Sequence, residues 1–417
     1  MRTILLNPAR IITVDTKGKN YKRGNELNEI NAIDNHSIII EDGIIKDILP
    51  DSSLKNNSAR VINVKDKIIL PGLIDCHTHT AFAGSRSDEF RRRLAGESYE
   101  EIAKKGGGIN TTVQAVRNAA VEELINLLTK RVQYFISQGI TSLEIKSGYG
   151  LDFENELKLL QAINYLKDIF PVDIVPTFLG AHTFPPEYKN DHEGYINLLI
   201  DKLIPHISLH KLAKYCDAFC EKTAFSSEEV DRIFTKAKQS GMELKLHTEQ
   251  FNNIGGINIA IKHNITSVDH LEVLEDSKLN SLGSSEIVCT LLPGVSFFLN
   301  YQYAPARRLI ENNAIVALAT DYNPGSSNIA NLNFIMSLAA IKMKMTVEET
   351  ISAVTINAAK AIGLNETTGS IEINKQADFS VFDTTEYSDI VYNVGKNLNC
   401  MTIKKGEIIF DSSGDFK

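Results

Sequence analysis

Between residues 68 and 319, eight short β-branched runs alternate with segments of helical period, and this rhythm narrows the possible folds more than any other feature. The runs are 68–70, 140–145, 173–178, 216–220, 243–246, 266–269, 286–290 and 315–319. Helical period is clearest over 113–138, 153–168, 226–240, 253–263 and 328–342, with Asp152 as N-cap of the second. A strand that returns parallel to its neighbour needs a crossover long enough for a helix, so this alternation implies a parallel sheet. Eight such units fit the roughly 250 residues of a closed barrel. An open doubly wound sheet is the competing arrangement, and no GxGxxG follows the first strand to support it. The expected fold is α/β, a TIM-like (β/α)8 barrel.

The chain ends read differently. Runs at 11–14, 37–40, 44–48 and 61–64 have no helical pattern between them, and Asp42-Gly43 marks a hairpin turn. Runs at 369–373, 377–382, 390–392 and 407–410 repeat that character. Neither set makes a core alone. The expected organisation is therefore one small β-sandwich built from both ends, 1–67 plus 366–417, with the barrel spanning 68–365.

Charge and cysteine content exclude several classes. Lys and Arg number 44 against 52 Asp and Glu, a net −8 with neutral His. An acidic chain lacks the general pull toward nucleic acid or anionic membrane. The basic run Arg91-Arg92-Arg93 is short and flanked by acids, which reads as a solvated helix face, with a subunit contact or lid as the alternative. The five cysteines, Cys76, Cys216, Cys220, Cys289 and Cys400, form no CxxC pair. With no secretory leader and no apolar run near the ~18 residues of a membrane span, a cytoplasmic protein is expected.

Chemistry in such a barrel stands at the C-terminal ends of the strands. Following the runs in order are His77-Thr78-His79, Lys146-Ser147-Gly148-Tyr149, Gly180-Ala181-His182, Glu221, His247-Thr248-Glu249-Gln250, His270, Leu291-Leu292-Pro293-Gly294 and Asp321-Tyr322-Asn323. Five of the ten histidines thus fall at strand ends, a clustering that isolated structural histidines would not produce. The other five, His36, His192, His206, His210 and His263, read as structural or surface residues. His77 and His79, at i and i+2 on extended chain, point to one face and can reach one metal. With His247 and Asp321 they make three nitrogens and one oxygen, a set suited to Zn²⁺ or a similar first-row ion.

A metal site of this kind makes hydroxide available near neutral pH, and no GxSxG nucleophile competes with it. Asp321 can take the water proton and pass it to a leaving nitrogen. His270 reads as a group behind the ligands or holding the hydroxide, with a ligand role also open, and His182 as a group that polarises or positions the substrate. Gly106-Gly107-Gly108 reads as a mobile loop over the mouth. Lys146 invites comparison with the modified lysine that bridges two metals, but its offset after Glu144-Ile145 and the ligand set argue for a single ion.

The stretch Pro71-Gly72-Leu73-Ile74-Asp75-Cys76-His77-Thr78-His79 resembles the opening of the metal-dependent amidohydrolase superfamily, and Gly369-Ser370-Ile371-Glu372 with Ala377-Asp378-Phe379 resembles its return to a β-sandwich. Phe82-Ala83-Gly84-Ser85-Arg86, Gly106-Gly107-Gly108-Ile109, Glu144–Gly150 and Asp321-Tyr322-Asn323-Pro324-Gly325-Ser326 together resemble the imidazolonepropionase family. The resemblance runs from about residue 70 to 385. It implies hydrolysis of the cyclic amide of 4-imidazolone-5-propanoate to N-formimidoyl-L-glutamate, a step of histidine degradation. It implies one Zn²⁺ or Fe³⁺ per chain held by His77, His79, His247 and Asp321, catalytic roles for Asp321, His270 and His182, and substrate contacts from Arg86, Tyr149, His182, Gln250, Asn323, Gly325 and Ser326. Some members carry a carboxylate where this chain has Gln250, so proton work shifts toward Asp321 and His270. A homodimer with a small-molecule substrate, and no nucleic-acid or membrane partner, is expected. The alternatives are another mononuclear amidohydrolase, such as a purine or pyrimidine aminohydrolase distinguished by release of ammonia, and a non-catalytic barrel.

Overall fold

The computed structural model describes residues 2–54, 59–97 and 107–414. Eight parallel strands form the central sheet in chain order: Leu73–Asp75, Ile140–Lys146, Asp173–Ala181, Tyr215–Cys220, Glu243–Thr248, Ser267–His270, Val288–Leu291 and Ile315–Leu318. Each pairs with the next, and they are buried along almost their whole length, as expected where helices cover the outside. First and last strands share no ladder. Two main-chain hydrogen bonds just beyond their ends close the ring: Asp321 N donates to His77 O at 3.1 Å, and His79 N to Tyr322 O at 3.0 Å.

Two further sheets hold the chain ends together. A four-stranded sheet orders Ile44–Pro50, His36–Glu41, Arg2–Leu6 and Arg60–Asn63. A six-stranded sheet orders Glu407–Asp411, Asn399–Lys404, Phe379–Phe382, Ile68–Pro71, Arg10–Ile12 and Ala32–Ile33. Between them lies a separate core that includes Leu5, Ile38, Ile40, Ile62, Ile69, Phe379 and Val381. The Asp42-Gly43 turn has φ of +51° and +79°, as a two-residue hairpin requires.

Several sequence expectations are corrected. The run 68–70 is a sandwich strand, antiparallel to Phe379–Phe382, and the first barrel strand begins at Leu73. Gly72 separates them at a close crossing, where a Cβ would stand 2.2 Å from Thr141 Oγ1. The run 390–392 is a helical turn, Asp389–Tyr392, docked on helix Leu332–Met343 through Ser337 Oγ to Val391 O at 2.7 Å. Three apolar residues do not distinguish period 2 from period 3.6. Residues 369–373 form no strand, and Ile371 N makes a single donation to Thr13 O. The helix expected over 113–138 is two, Ile109–Asn118 and Val121–Ser137. The break at Ala119-Ala120 is invisible to propensity because alanine is the best helix former. Asp152 does cap its helix, accepting from Asn155 N at 2.8 Å. Among the described residues no helix is long and apolar enough to cross a membrane.

Candidate active site

The ring closure also builds the site. His77 and His79 lie on the extended segment leaving the first strand, and Asp321 on the segment leaving the eighth. Asp321 Oδ1 comes within 3.4 Å of His77 Nε2 and 3.2 Å of His79 Nε2. His247, from the fifth strand, brings its Nε2 to 3.3 Å from His79 Nε2. All four side chains are buried. Asp321 adopts φ +48°, a left-handed conformation that costs on the order of 1–3 kcal/mol and is held by its surroundings. Asn323 Nδ2 donates to Asp321 O at 2.7 Å and to Oδ2 at 3.1 Å.

These donors fit a metal ion. Nitrogens of His77, His79 and His247 lie within 4.8 Å of one another. His77 Nδ1 faces Asp269 Oδ2 at 2.7 Å, and His247 Nδ1 faces Asp217 Oδ1 at 3.1 Å. With Nδ1–H donated to a carboxylate, each ring offers its Nε2 lone pair, the usual way such ligands are oriented. His77 Nε2 and Asp321 Oδ1 are buried and, among the described residues, have no hydrogen-bond partner. Burial opposes charge on Asp321, but His77 and His79 hold its carboxyl well below the ordinary carboxylate range. Burial pushes His247 well below the usual imidazole value, leaving it neutral.

A second cluster, Asp217, His247 and Asp269, also has metal-like spacing. A cation of the chain itself already serves it. Lys146 Nζ stands 2.8 Å from Asp217 Oδ2, 2.9 Å from Glu144 Oε2 and 3.9 Å from Asp269 Oδ2. Lys245 Nζ lies 3.1 Å from Glu144 Oε1 and donates to Cys76 O at 2.9 Å. Burial opposes the charge of Lys146, but Asp217 and Glu144 outweigh it and hold the ammonium protonated. Lys146 is therefore an ion-pair partner beneath the histidines.

A cavity of about 620 Å³ opens over this centre and is lined in part by Arg86, Tyr149, His182, Gln250, His270 and Asn323. That volume suits a small ligand. His182 accepts or donates at Nδ1 with Gly148 O, 2.9 Å away; since a carbonyl only accepts, Nδ1 carries the proton. Burial pushes its pKa down to about 3, so neutral His182 presents Nε2 as an acceptor and suits a ligand N–H. Tyr149 packs beside it, ring centroids 5.4 Å apart. His270 lies 5.4 Å from the His247 ring, with φ +88° and Nδ1 3.4 Å from Glu272 Oε1. Gln250 sits in a turn fixed by Glu221, whose Oε2 accepts from Phe251 N at 2.9 Å and Asn252 N at 3.0 Å.

Arg86 meets the cavity differently from a free fork. Its Nε and Nη2 both donate to Glu89 Oε2, at 3.0 and 2.8 Å, leaving the Nη1/Nη2 end for a ligand. Nη1 passes over Gly325, where a Cβ would lie 2.2 Å away, so glycine makes room for the guanidinium. Asn323 Oδ1 accepts from Gly325 N and Ser326 N at 2.8 and 2.7 Å, shaping this wall of the cavity. Gly106 lies outside the described residues. Gly108, with φ +88°, leads into the helix at Ile109, and its N–H donates to Glu89 Oε1. The five histidines away from strand ends are elsewhere: His192 stacks on Phe184 and His263 pairs with Asp231.

Sequence reading passed over Asp217, Asp269 and Lys245, and took Glu89 and Arg93 only as part of a charged helix face. The signal for Asp217 and Lys245 was a charged residue between apolar neighbours of a barrel run, and for Asp269 a charge at the end of one.

Fold and site define an amidohydrolase: the amidohydrolase family model matches residues 218–409. Among solved structures, an adenosine deaminase from Xanthomonas campestris with bound zinc superposes with a TM-score of 0.73 at 16% identity, over 98% of this chain and 93% of the other. A 5-methylcytosine deaminase from Klebsiella pneumoniae gives 0.73 at 15%, over 99% and 98%. At such identities the likeness is one of fold. Nearer in sequence are the imidazolonepropionases of Clostridium tetani and Geobacillus thermodenitrificans, each 42% identical over 98% of both chains. That of Flavobacterium johnsoniae is 40% identical over 98% of this chain and 100% of its own. The chain belongs to the imidazolonepropionase family.

Proposed function

We propose that this protein opens the ring of 4-imidazolone-5-propanoate with water, giving N-formimidoyl-L-glutamate in histidine degradation. The observation that carries the reading is the convergence of His77, His79, His247 and Asp321 beneath a cavity that also presents Arg86, in a chain about 40% identical to imidazolonepropionases throughout its length. Those four residues would hold one ion, Zn²⁺ or Fe³⁺, which when bound would make hydroxide available near neutral pH by lowering the pKa of water from about 15.7 to about 7.

The chain's own groups do the rest. Arg86 takes the propionate at its Nη1/Nη2 end. His182 Nε2 accepts a ring N–H and fixes the ring's orientation. Asp321 receives the proton of the attacking water at its carboxylate and returns it to the ring nitrogen as the C–N bond breaks, with His270 beside the attacking oxygen. Gln250, an amide, positions and does not take the proton. Asn323 holds the Asp321 carboxylate, and Tyr149, Gly325 and Ser326 complete the substrate wall. The barrel, from Leu73 to about residue 365, carries this chemistry, and the sandwich, 1–71 with 366–417, joins the chain ends. We place the enzyme in the cytoplasm as a homodimer, without nucleic-acid or membrane partners.

The direct test is turnover of 4-imidazolone-5-propanoate with N-formimidoyl-L-glutamate identified by mass spectrometry. Release of ammonia without ring opening would replace this reading with a deaminase. One transition-metal ion per chain is expected by elemental analysis; active protein without one would overturn the ligand assignment. Arg86→Ala is expected to raise KM by about 10- to 150-fold, the range for a charge-assisted hydrogen bond of roughly 1.5–3 kcal/mol. Arg86→Lys should fall between, because it keeps the charge and loses the fork. Equal damage toward a carboxamide analogue would show that Arg86 supports the loop and does not bind the carboxylate.

A further inference from the structure

Arg86, Glu89, Phe90 and Arg93 all line the cavity, at the three- and four-residue spacing that places them on one face of the helix Ser87–Leu94 and its N-cap. The three consecutive arginines of this helix therefore have different environments. Arg91 points outward and pairs with Asp88 at 2.8 Å, and Arg92 pairs with Glu97. Arg93 turns inward, so the basic run is not uniformly a solvated face.

Its guanidinium lies against two stacked rings, 5.5 Å from the Phe90 centroid and 5.3 Å from that of Phe298. Among the described residues its polar contact is one long donation from Nη2 to Phe298 O, 3.4 Å. Arg86 has a carboxylate partner in Glu89, and Glu89 is further engaged by Gly108 N and Thr111 Oγ1. Among the described residues no carboxylate lies within ion-pair distance of Arg93. Burial pulls its pKa below the usual arginine value, which marks a cation short of polar partners. An aromatic face holds a guanidinium flat and leaves its edges for a planar anion.

We propose that Arg93 is a second carboxylate-binding residue of this cavity, sharing the substrate's propionate with Arg86. The inference rests on the function proposed above and extends it: Glu89 offsets much of the Arg86 charge, and Arg93 supplies the cation that this pairing withholds. Selectivity for a ring bearing an anionic tail then comes from two arginines on one helix face.

The test uses the full-length metal-loaded enzyme and the variants Arg93→Ala, Arg93→Gln and Arg93→Lys, with the outward-facing Arg91→Ala as control. KM and kcat are read for 4-imidazolone-5-propanoate and for its carboxamide analogue, and calorimetry gives Kd for imidazole-4-propanoate. Loss of one charge-assisted contact predicts that Arg93→Ala and Arg93→Gln raise KM and Kd about tenfold or more. They should change kcat little and leave the carboxamide unaffected, with Arg93→Lys recovering part of the loss and Arg91→Ala matching wild type. Unchanged Kd in Arg93→Ala or Arg93→Gln, or an equal penalty on the carboxamide, overturns the proposal. If wild type fails to turn over the imidazolone, the proposed function falls, while the calorimetric comparison still decides whether Arg93 binds the carboxylate.

Discussion

Asp321→Asn is expected to lower kcat by about 10²–10⁴-fold, the usual contribution of a positioned acid–base group, while binding of imidazole-4-propanoate weakens far less. The local hydrogen bonds explain why an isosteric change is so damaging. Asn323 Nδ2 donates to Asp321 Oδ2, so an amide at 321 must turn its oxygen toward Asn323. Its NH₂ group then takes the place of Oδ1, between His77 Nε2 and His79 Nε2, where an amide nitrogen neither ligates a cation nor accepts a proton. Single-turnover kinetics, metal content and Kd measured together separate the effects. A variant that retains metal and turns over near the wild-type rate would remove Asp321 from the proton path.

Lys146→Met is expected to destabilise the fold by about 3–5 kcal/mol, the range for removing one partner of a buried ion pair. Methionine fills similar space but leaves Glu144, Asp217 and Asp269 sharing only Lys245 and the histidines for compensation. Two of those carboxylates orient His77 and His247, so metal affinity should fall along with stability. Urea denaturation and competitive chelation measure the two losses. Unchanged unfolding free energy would mean that Lys146 is not what balances this buried charge.

The convergence of His77, His79, His247 and Asp321 was legible because each follows a run read as a barrel strand, where a barrel places its chemistry. The charges beneath them were not. Asp217 and Lys245 sit inside such runs, and strand patterning treats a charge there as an interruption, although alternation turns it into the barrel. The start of the barrel was misread because Ile68–Pro71 and Leu73–Asp75 are both apolar and only Gly72 separates strands of two different sheets. Arg93 was grouped with its neighbours because adjacency in sequence hides the 100° that separates consecutive side chains around a helix. The pairing of Arg86 with Glu89 lies beyond periodicity altogether, since it depends on which way a loop enters a helix.

The ring of strands is joined by two main-chain hydrogen bonds between segments from opposite ends of the barrel, and the same segments carry His77, His79 and Asp321. A cation bound by these residues is therefore a clasp between the first-made and last-made parts of the barrel. Its binding energy counts toward circular closure as well as toward reactivity, contributing about 2.7 kcal/mol when free ion exceeds its Kd a hundredfold. With the proposed ligand set, metal supply would govern two properties at once: how much of the protein is active, and how tightly the cylinder is held shut against opening and proteolysis.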